Sequence, residues 1–253
     1  MELKNRRQSV MDALRLRKSV KVAELAQELN VSEMTIRRDL KRLADMSIVT
    51  LVHGGAVLNE GTTALPNIKA RSQKMTKEKN NIASYCAGLI KEGNAVYLDT
   101  GSTAMEIAEA LRTRKNIAVL THSLPVQNIL SDSEGLQLIA MPGIYDKVKK
   151  GFFGDMTCRK IRSFQIDIAF IGCSAVDIKT GVMSPDFQDQ AAKKAIIERS
   201  SKKVLAIDHT KIGNVMFTQV CPINALDMIV TDKLADKEFV EKVKKFGVEV
   251  IQV

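Results

Sequence analysis

The sequence predicts an α/β protein: an N-terminal winged helix-turn-helix domain over residues 1–58, a linker over 59–75, and a Rossmann-like α/β domain over 76–253. Three observations carry this reading. Residues 3–43 hold three short runs with apolar side chains at helical spacing, followed by two β-prone runs around a Gly-Gly pair. From Ala95 onward, short apolar runs alternate with helical ones, the pattern of a largely parallel sheet covered on both faces. The formal charge of +9 is also uneven, because residues 1–80 carry 16 Lys/Arg against 9 Asp/Glu and the remainder 22 against 20. A basic module on a near-neutral body points to a polyanion partner.

Leu3–Arg17 reads as a first helix, with Val10, Leu14 and Met11 on its apolar side, and Lys18-Ser19 breaks it. Val22, Leu25, Ala26 and Leu29 form the inner stripe of a second helix. The third begins at Ser32, whose hydroxyl is suited to accept an orphan N–H of the first turn. Ile36, Leu40 and Leu43 share one face of it, while Arg37, Arg38, Lys41 and Arg42 lie on or beside the other. This is the reading element of a helix-turn-helix, and also the pattern of an ordinary solvated helix face. In the first case Ser32, Thr35 and Arg37 point into a major groove, and Arg37, Arg38 and Lys41 supply phosphate contacts. Thr35 has two readings, a thymine-methyl contact or a cap. Ile48–Val52 and Ala56–Leu58 then flank His53-Gly54-Gly55 as a hairpin. A hairpin at this place is a wing, and glycine lets its tip approach a phosphate backbone closely.

Aromatic residues make up 4% and Trp is absent, leaving little to stack single-stranded bases. No stretch approaches the ~18 apolar residues of a membrane span, and the N-terminus lacks an apolar signal core, so a cytoplasmic location without membrane contact is expected. Cys86, Cys158, Cys173 and Cys221 contain no C-x-x-C pair, and His53, His122 and His209 are dispersed. Neither a metal nor a cofactor is expected.

Asn59–Thr63 is polar and reads as linker. A charged helix begins near Lys69, gains a core face at Ile82, Tyr85, Cys86, Leu89 and Ile90, and ends at Gly93. The strand Ala95–Leu98 runs into Asp99-Thr100-Gly101-Ser102-Thr103 and then a helix carrying Ile107, Ala108 and Leu111. A strand, a Gly/Ser/Thr turn and a helix N-terminus bring N–H groups, hydroxyls and the helix dipole together as an anion site. Neither a Walker loop nor a G-x-G-x-x-G is present, so a phosphorylated small molecule is expected rather than a nucleotide; a simple capped βα turn is the alternative. Further strands are predicted at Asn116–Leu120, Leu136–Met141, Ile166–Ile171, Lys203–Ile207, Asp227–Thr231 and Val248–Val253, with helices at Leu124–Leu130, Ala191–Arg199 and Asp236–Phe246. Asp99–Thr103, Thr121-His122-Ser123, Gly143, Gly172–Ser174 and Asp208–Lys211 all fall at strand ends, where such sheets bind ligands.

Two stretches, Val31-Ser32-x-x-Thr35-Ile36-Arg37-Arg38-Asp39-Leu40 and His53-Gly54-Gly55-Ala56, resemble the DeoR family of bacterial transcriptional regulators. Asp99–Thr103, Phe170–Gly172 with Asp177 and Gly181, and Asp208–Lys211 extend the resemblance to that family's sugar-phosphate sensor domain, related in fold to ribose-5-phosphate isomerase and coenzyme A transferases. The resemblance implies that the recognition helix and the wing residues His53, Gly54 and Gly55 meet operator DNA. It implies further that Asp99, Gly101, Ser102 and Thr103 bind phosphate, and that Asp208 and Lys211 face the sugar. Leu51 stands where the family usually has an arginine, His122 where it has asparagine, Pro142 beside Gly143 where paired glycines are common, and Asp189 is the nearest acidic residue where a glutamate is usual. The function implied is an operator-binding repressor of a carbohydrate-utilisation operon, controlled by a phosphorylated sugar and acting as a homodimer or homotetramer. The competing class is a phosphosugar isomerase with an appended basic domain, for which Asp189, Asp208 and Lys211 offer the acid–base groups. A third is an architectural DNA-binding protein without a ligand.

Overall fold

The computed structural model describes residues 3–45, 48–59, 61, 65–66 and 68–253. The chain divides into two compact units, Met1–Ala70 and Arg71–Val253.

The first unit runs α1 (Leu3–Arg17), β1 (Ser19–Lys21), α2 (Val22–Glu28), α3 (Glu33–Asp45), β2 (Val49–Val52) and β3 (Gly55–Leu58). Asn30 turns the chain between α2 and α3 with φ +50°, a left-handed conformation that asparagine tolerates. Ser32 then caps α3, its Oγ accepting the Thr35 N–H at 3.3 Å. Ile36 and Leu40 of α3 are buried with Val10 and Leu14 of α1, Leu25 of α2, and Val49 and Ala56 of the hairpin. Arg6 Nε of α1 donates to Asp39 Oδ2 of α3 at 2.7 Å, so the aspartate of the Arg-Arg-Asp run faces inward and ties two helices together.

Lys18-Ser19 is more than a break. Lys18, at φ +63°, reverses the chain into β1, which pairs with β3 to give a three-stranded sheet in the order β1-β3-β2. Three residues are too few to show a period-2 pattern, which is why the strand is silent in the sequence. β1 also corrects the reading of the glycine pair. The turn between Val52 and its partner Gly55 consists of His53 and Gly54, and Gly54 takes φ +73°. Gly55 lies inside the sheet, not at the exposed tip: a Cβ there would sit 2.1 Å from the Val20 carbonyl oxygen of β1.

The stretch assigned to the linker lies partly outside the described residues (60, 62–64 and 67). It ends in a short helix, α4 (Ile68–Ser72), within which the boundary between the units falls. The single charged helix expected from Lys69 is two helices. α5 (Thr76–Gly88) starts afresh after Met75, whose φ of +51° interrupts the helical path.

The second unit continues β4 (Ala95–Leu98), α6 (Ser102–Leu111), β5 (Ile117–Thr121), α7 (Leu124–Leu130), β6 (Leu136–Ala140), the hairpin β7 (Ile144–Asp146) and β8 (Gly151–Phe153), α8 (Asp155–Arg162) and β9 (Ile166–Ile171). Next come β10 (Ala175–Asp177), β11 (Gly181–Ser184), α9 (Phe187–Arg199), β12 (Ser200–Ala206), β13 (Thr218–Cys221), β14 (Met228–Thr231), α10 (Lys237–Lys245) and β15 (Glu249–Gln252). Seven strands form one parallel sheet in the order β15-β14-β12-β9-β4-β5-β6. The chain starts at the centre in β4, moves out through β5 and β6, then returns to β9 on the other side of β4 and continues to β15. The strand order therefore reverses between β4 and β9, the place where open α/β sheets bind ligands.

Alternation sorts the strand residues onto the two faces. Val96, Leu98, Ile168 and Phe170 pack with Ile82, Ile107 and Val126 of α5–α7. Tyr97, Ala169, Ile171 and Leu205 pack with Ile161, Ile196 and Val243 of α8–α10. A second, antiparallel sheet, β10-β11-β13, and the β7–β8 hairpin are additions that the sequence did not reveal. Among the described residues no helix is long and apolar enough to cross a membrane.

Candidate functional site

Two surfaces carry the candidate residues, one in each unit. In the first unit, Ser32 Oγ and Thr35 Oγ1 are 2.9 Å apart at the start of α3, so these two hydroxyls occupy one another in the DNA-free chain. Arg37, Arg38, Lys41 and Arg42 are all exposed, opposite the buried Ile36 and Leu40. Arg37 Nη2 pairs with Glu33 Oε2 at 3.0 Å, one helical turn back. An exposed pair of this kind contributes little, so Arg37 can leave Glu33 for another anion at small cost. His53 and Gly54 are exposed at the hairpin tip, and Leu51 and Val52 are half-exposed beside them. Gly55 is buried and acts through the sheet.

In the second unit, the loops after β4 and β9 meet at the switch point. Asp99, directly after β4, is fully buried. Its Oδ1 accepts the Thr100 N–H at 2.7 Å and its Oδ2 accepts the Gly172 N–H at 3.0 Å, locking the two loops together. The chain then passes through Gly101, at φ +137°, which only glycine adopts without strain, into the N-terminus of α6. No side chain caps that N-terminus, and nothing lies within 4 Å of where a Cβ on Gly101 would be. Uncapped N–H groups, the Ser102 and Thr103 hydroxyls and open space above them make a place for an anion.

Beneath this loop runs a buried polar chain. Lys193 Nζ of α9 donates to Asp99 Oδ2 at 2.6 Å and to Asp189 Oδ1 at 3.0 Å. Asp189 in turn accepts from the Ser184 hydroxyl. Burial works against the charged form of Lys193, but the carboxylates of Asp189 and Asp99 outweigh it and hold the ammonium above the usual lysine range. For Asp189 burial likewise opposes the charge, and Lys193 and the Ser184 hydroxyl more than offset it, leaving its pKa lowered. On the other side of Asp99, His122 is fully buried. The Tyr97 hydroxyl lies 2.9 Å from His122 Nδ1, while Nε2 stands 3.7 Å from Asp99 Oδ1 without a hydrogen-bond partner. We assign the Nε2–H tautomer, with Tyr97 donating to Nδ1, because it turns the remaining N–H toward the carboxylate. Burial pushes the His122 pKa down to about 4, against the pull of Asp99, so the ring is neutral near pH 7.

The strand-end residues named from the sequence divide into groups. Asp99, His122, Gly172 and Asp189 form the connected cluster, and Gly101, Ser102 and Thr103 form the open loop above it. Thr121 and Ser123 are fully buried and structural in their contacts: Thr121 Oγ1 accepts the Ser123 N–H, and Ser123 Oγ accepts the Val126 N–H to cap α7. Gly143 corrects the expectation of an open strand-end glycine. A Cβ there would lie 2.2 Å from Thr157 Oγ1 and 2.8 Å from the Phe153 carbonyl oxygen, so this glycine seats the β7–β8 hairpin. Asp208 is buried and accepts the Thr210 N–H at 3.1 Å; it and Lys211 lie in the electrostatic surroundings of Cys173, together with Lys193.

Sequence reasoning missed several members. Lys193 is the centre of the cluster, and its spacing from Asp189, four residues on one helix, was an available signal. Tyr97 is hidden in an apolar strand. Lys149, on the β7–β8 hairpin, is buried against the Phe153 ring and pairs with Asp186 Oδ2 at 2.7 Å. Arg71 and Lys79 also reach this region from the helices before β4, as their electrostatic neighbours Asp99, Asp189 and Asp208 indicate.

The chain matches the profile of the DeoR-like helix-turn-helix domain over residues 6–62 and that of the DeoR C terminal sensor domain over residues 74–233. It is 30% identical to the glycerol-3-phosphate regulon repressor of Escherichia coli (strain K12), covering 92% of each chain. It is 30% identical to the lactose phosphotransferase system repressor of Lactococcus lactis subsp. lactis, covering 97% of each. It is 27% identical to the HTH-type transcriptional repressor GlcR of Bacillus subtilis (strain 168), covering 96% of this chain and 93% of that one. Among solved structures it is similar to ribose 5-phosphate isomerase A from Methanocaldococcus jannaschii, with a TM-score of 0.40 and 19% identity over 53% of each chain.

Proposed function

Because this chain belongs to the DeoR family of transcriptional regulators, we propose that it is a repressor of a carbohydrate-utilisation operon whose hold on operator DNA is set by a phosphorylated sugar. Residues 1–58 bind the DNA, 59–75 link, and 76–253 sense the effector and assemble the homodimer or homotetramer in the cytoplasm. The observation that carries the sensor half is the open, uncapped loop Gly101-Ser102-Thr103 at the switch point of the sheet, held by Asp99 to Gly172. A phosphate there accepts from the first N–H groups of α6 and from the two hydroxyls, while the sugar faces Asp208 and Lys211. The isomerase alternative lacks support on two counts: its relatives are repressors, and the buried carboxylate Asp189 is held charged by Lys193 and Ser184 rather than poised to take a proton from carbon.

The DNA half rests on the exposed cations of α3. Arg37→Ala is expected to lower affinity for the preferred duplex by about 1–3 kcal/mol and to relax preference at one base position, as for an arginine that reads a guanine edge. Selection from a random duplex pool, followed by binding assays on both proteins, checks this; an unchanged preference with uniformly weaker binding makes Arg37 a phosphate contact. The sensor half is tested by titration calorimetry with a panel of phosphorylated hexoses, pentoses and trioses. The wild-type chain is expected to bind at least one, and Ser102→Glu, which places a like charge in the anion loop, to bind none. Equal binding by Ser102→Glu would move the effector elsewhere.

A further inference from the structure

The helix α3, proposed above to read DNA, presents an apolar side chain among its cations. Met34, in its first turn, is 67% exposed, whereas Ile36 and Leu40 are buried. Among the described residues of α3 it is the one apolar side chain left exposed, since Leu43 and Ala44 are half-buried. A single exposed apolar residue is ordinary on a protein surface; what sets this one apart is its place. Residues three and four apart share a helix face, so Met34 lies with Arg37 and Arg38, and Lys41 follows on the same line two turns on. Helical side chains lean toward the N-terminus of their helix. That of Met34 is thereby directed over the start of α3, the end whose residues meet base edges when such a helix enters a major groove.

The polar groups beside it are engaged with one another. Ser32 Oγ accepts the Thr35 N–H at 3.3 Å and lies 2.9 Å from Thr35 Oγ1, so the half-buried Thr35 belongs to the cap. Glu33 holds Arg37 at 3.0 Å. In the major groove thymine presents an apolar group, its C5-methyl, while the other distinguishing groups are hydrogen-bond donors and acceptors. Methionine offers no donor and only a weak acceptor, and its unbranched, polarizable chain adapts to the shape of a methyl group. Placing the two together removes apolar surface from water on both sides. An amino or carbonyl edge in the same place would lose its hydration against the thioether with no hydrogen bond in return.

We propose that Met34 is a specificity-determining residue of the operator contact and reads the C5-methyl group of one thymine per bound recognition helix. This rests on the placement of α3 in the major groove and adds to it the base that the apolar side chain selects. The neighbouring cations attract phosphate or bond to base edges, and their share of the affinity falls as salt rises. The contact of Met34 carries no charge, so it sorts sequences without adding to the salt dependence.

The test uses the full chain on the duplex it selects from a random pool, with each thymine replaced in turn by deoxyuridine, which lacks only the methyl group. One such replacement is expected to weaken wild-type binding about fourfold, the worth of burying one methyl group. Met34→Ala should bind thymine and deoxyuridine equally at that position, respond as wild type does elsewhere, and keep the wild-type salt dependence. Met34→Leu, which stays apolar, should retain part of the discrimination. At the same position wild type should prefer 5-methylcytosine to cytosine, and Met34→Ala should not. Unfolding temperatures of the variants should match that of wild type, because the side chain is exposed. A wild-type chain indifferent to every replacement overturns this proposal and leaves the placement of α3 intact, as does Met34→Ala with wild-type sensitivity at every position. If Met34→Ala does not fold, undiminished sensitivity in Met34→Gln, a polar side chain of similar length, does the same. Failure of the wild-type chain to select any duplex overturns both.

Discussion

Lys193→Met is expected to destabilise the sensor unit by about 3–5 kcal/mol, the range for removing one partner of a buried ion pair. Lys193 is the only cation hydrogen-bonded to either of two buried carboxylates among the described residues, and it touches both, Asp99 at 2.6 Å and Asp189 at 3.0 Å. Methionine of similar length fills the space and leaves both buried carboxylates without their hydrogen-bonded cation. The effect reaches the Gly101–Thr103 loop as well, because Asp99 is the group that joins the loop after β4 to the loop after β9. Adding Asp189→Asn should recover part of the loss by removing one of the two carboxylates that Lys193 held. Denaturant unfolding of the three proteins at pH 7 measures this. A loss below about 1 kcal/mol in Lys193→Met would mean that the cluster is wetter and less coupled than its burial indicates.

The second expected effect concerns acid. His122 is held neutral in the fold by burial, with a pKa near 4 against an ordinary value of 6.5. The unfolded chain therefore binds a proton that the folded chain refuses. As pH falls below 6.5, stability falls with it, until the folded ring also titrates near pH 4. At about 1.4 kcal/mol per pKa unit, the whole window is worth about 3 kcal/mol. The groups facing the ring are Asp99 and Asp189, which favour its protonation, and Lys193 and Lys149, which oppose it. Asp189 contributes its own loss only at lower pH, since its pKa is depressed below the usual aspartate value. His122→Asn removes the imidazole, so the stability of that variant should fall less steeply between pH 6.5 and 4. Parallel slopes for the two proteins would place the histidine in contact with solvent.

Much of the fold was legible because two kinds of pattern are strong. Helical spacing at Val22–Leu29 and Ile36–Leu43 reports one buried face, and the apolar runs Ala95–Leu98 and Ile166–Ile171 report strands buried on both. Elements that lack either pattern stayed hidden. β1, β7, β8 and β10 have three residues each, too few for alternation to register. The helix read across residues 69–90 is interrupted by Met75 in a left-handed conformation, and methionine carries no sequence signal for that. In the site, Asp99–Thr103 was legible because a strand, a glycine and two hydroxyls before a helix form a local motif. Lys193 and Tyr97 were not, because the bond of Lys193 to Asp99 spans 94 residues and that of Tyr97 to His122 spans 25. Gly54 and Gly55 show the same division. Their shared turn was visible, but only the backbone of β1, itself unseen, reveals that Gly55 is there for packing.

We propose that a phosphorylated sugar in the Gly101–Thr103 loop controls the DNA hold of α3 and the wing. The most direct measurement is fluorescence anisotropy of the full chain on its selected duplex, with and without the sugar phosphates of the panel, for wild type and Ser102→Glu. At least one sugar phosphate is expected to change the wild-type affinity tenfold or more, its unphosphorylated sugar to leave it unchanged, and Ser102→Glu to bind the duplex without responding. Wild-type affinity unmoved by every sugar phosphate, or moved equally in Ser102→Glu, would contradict it.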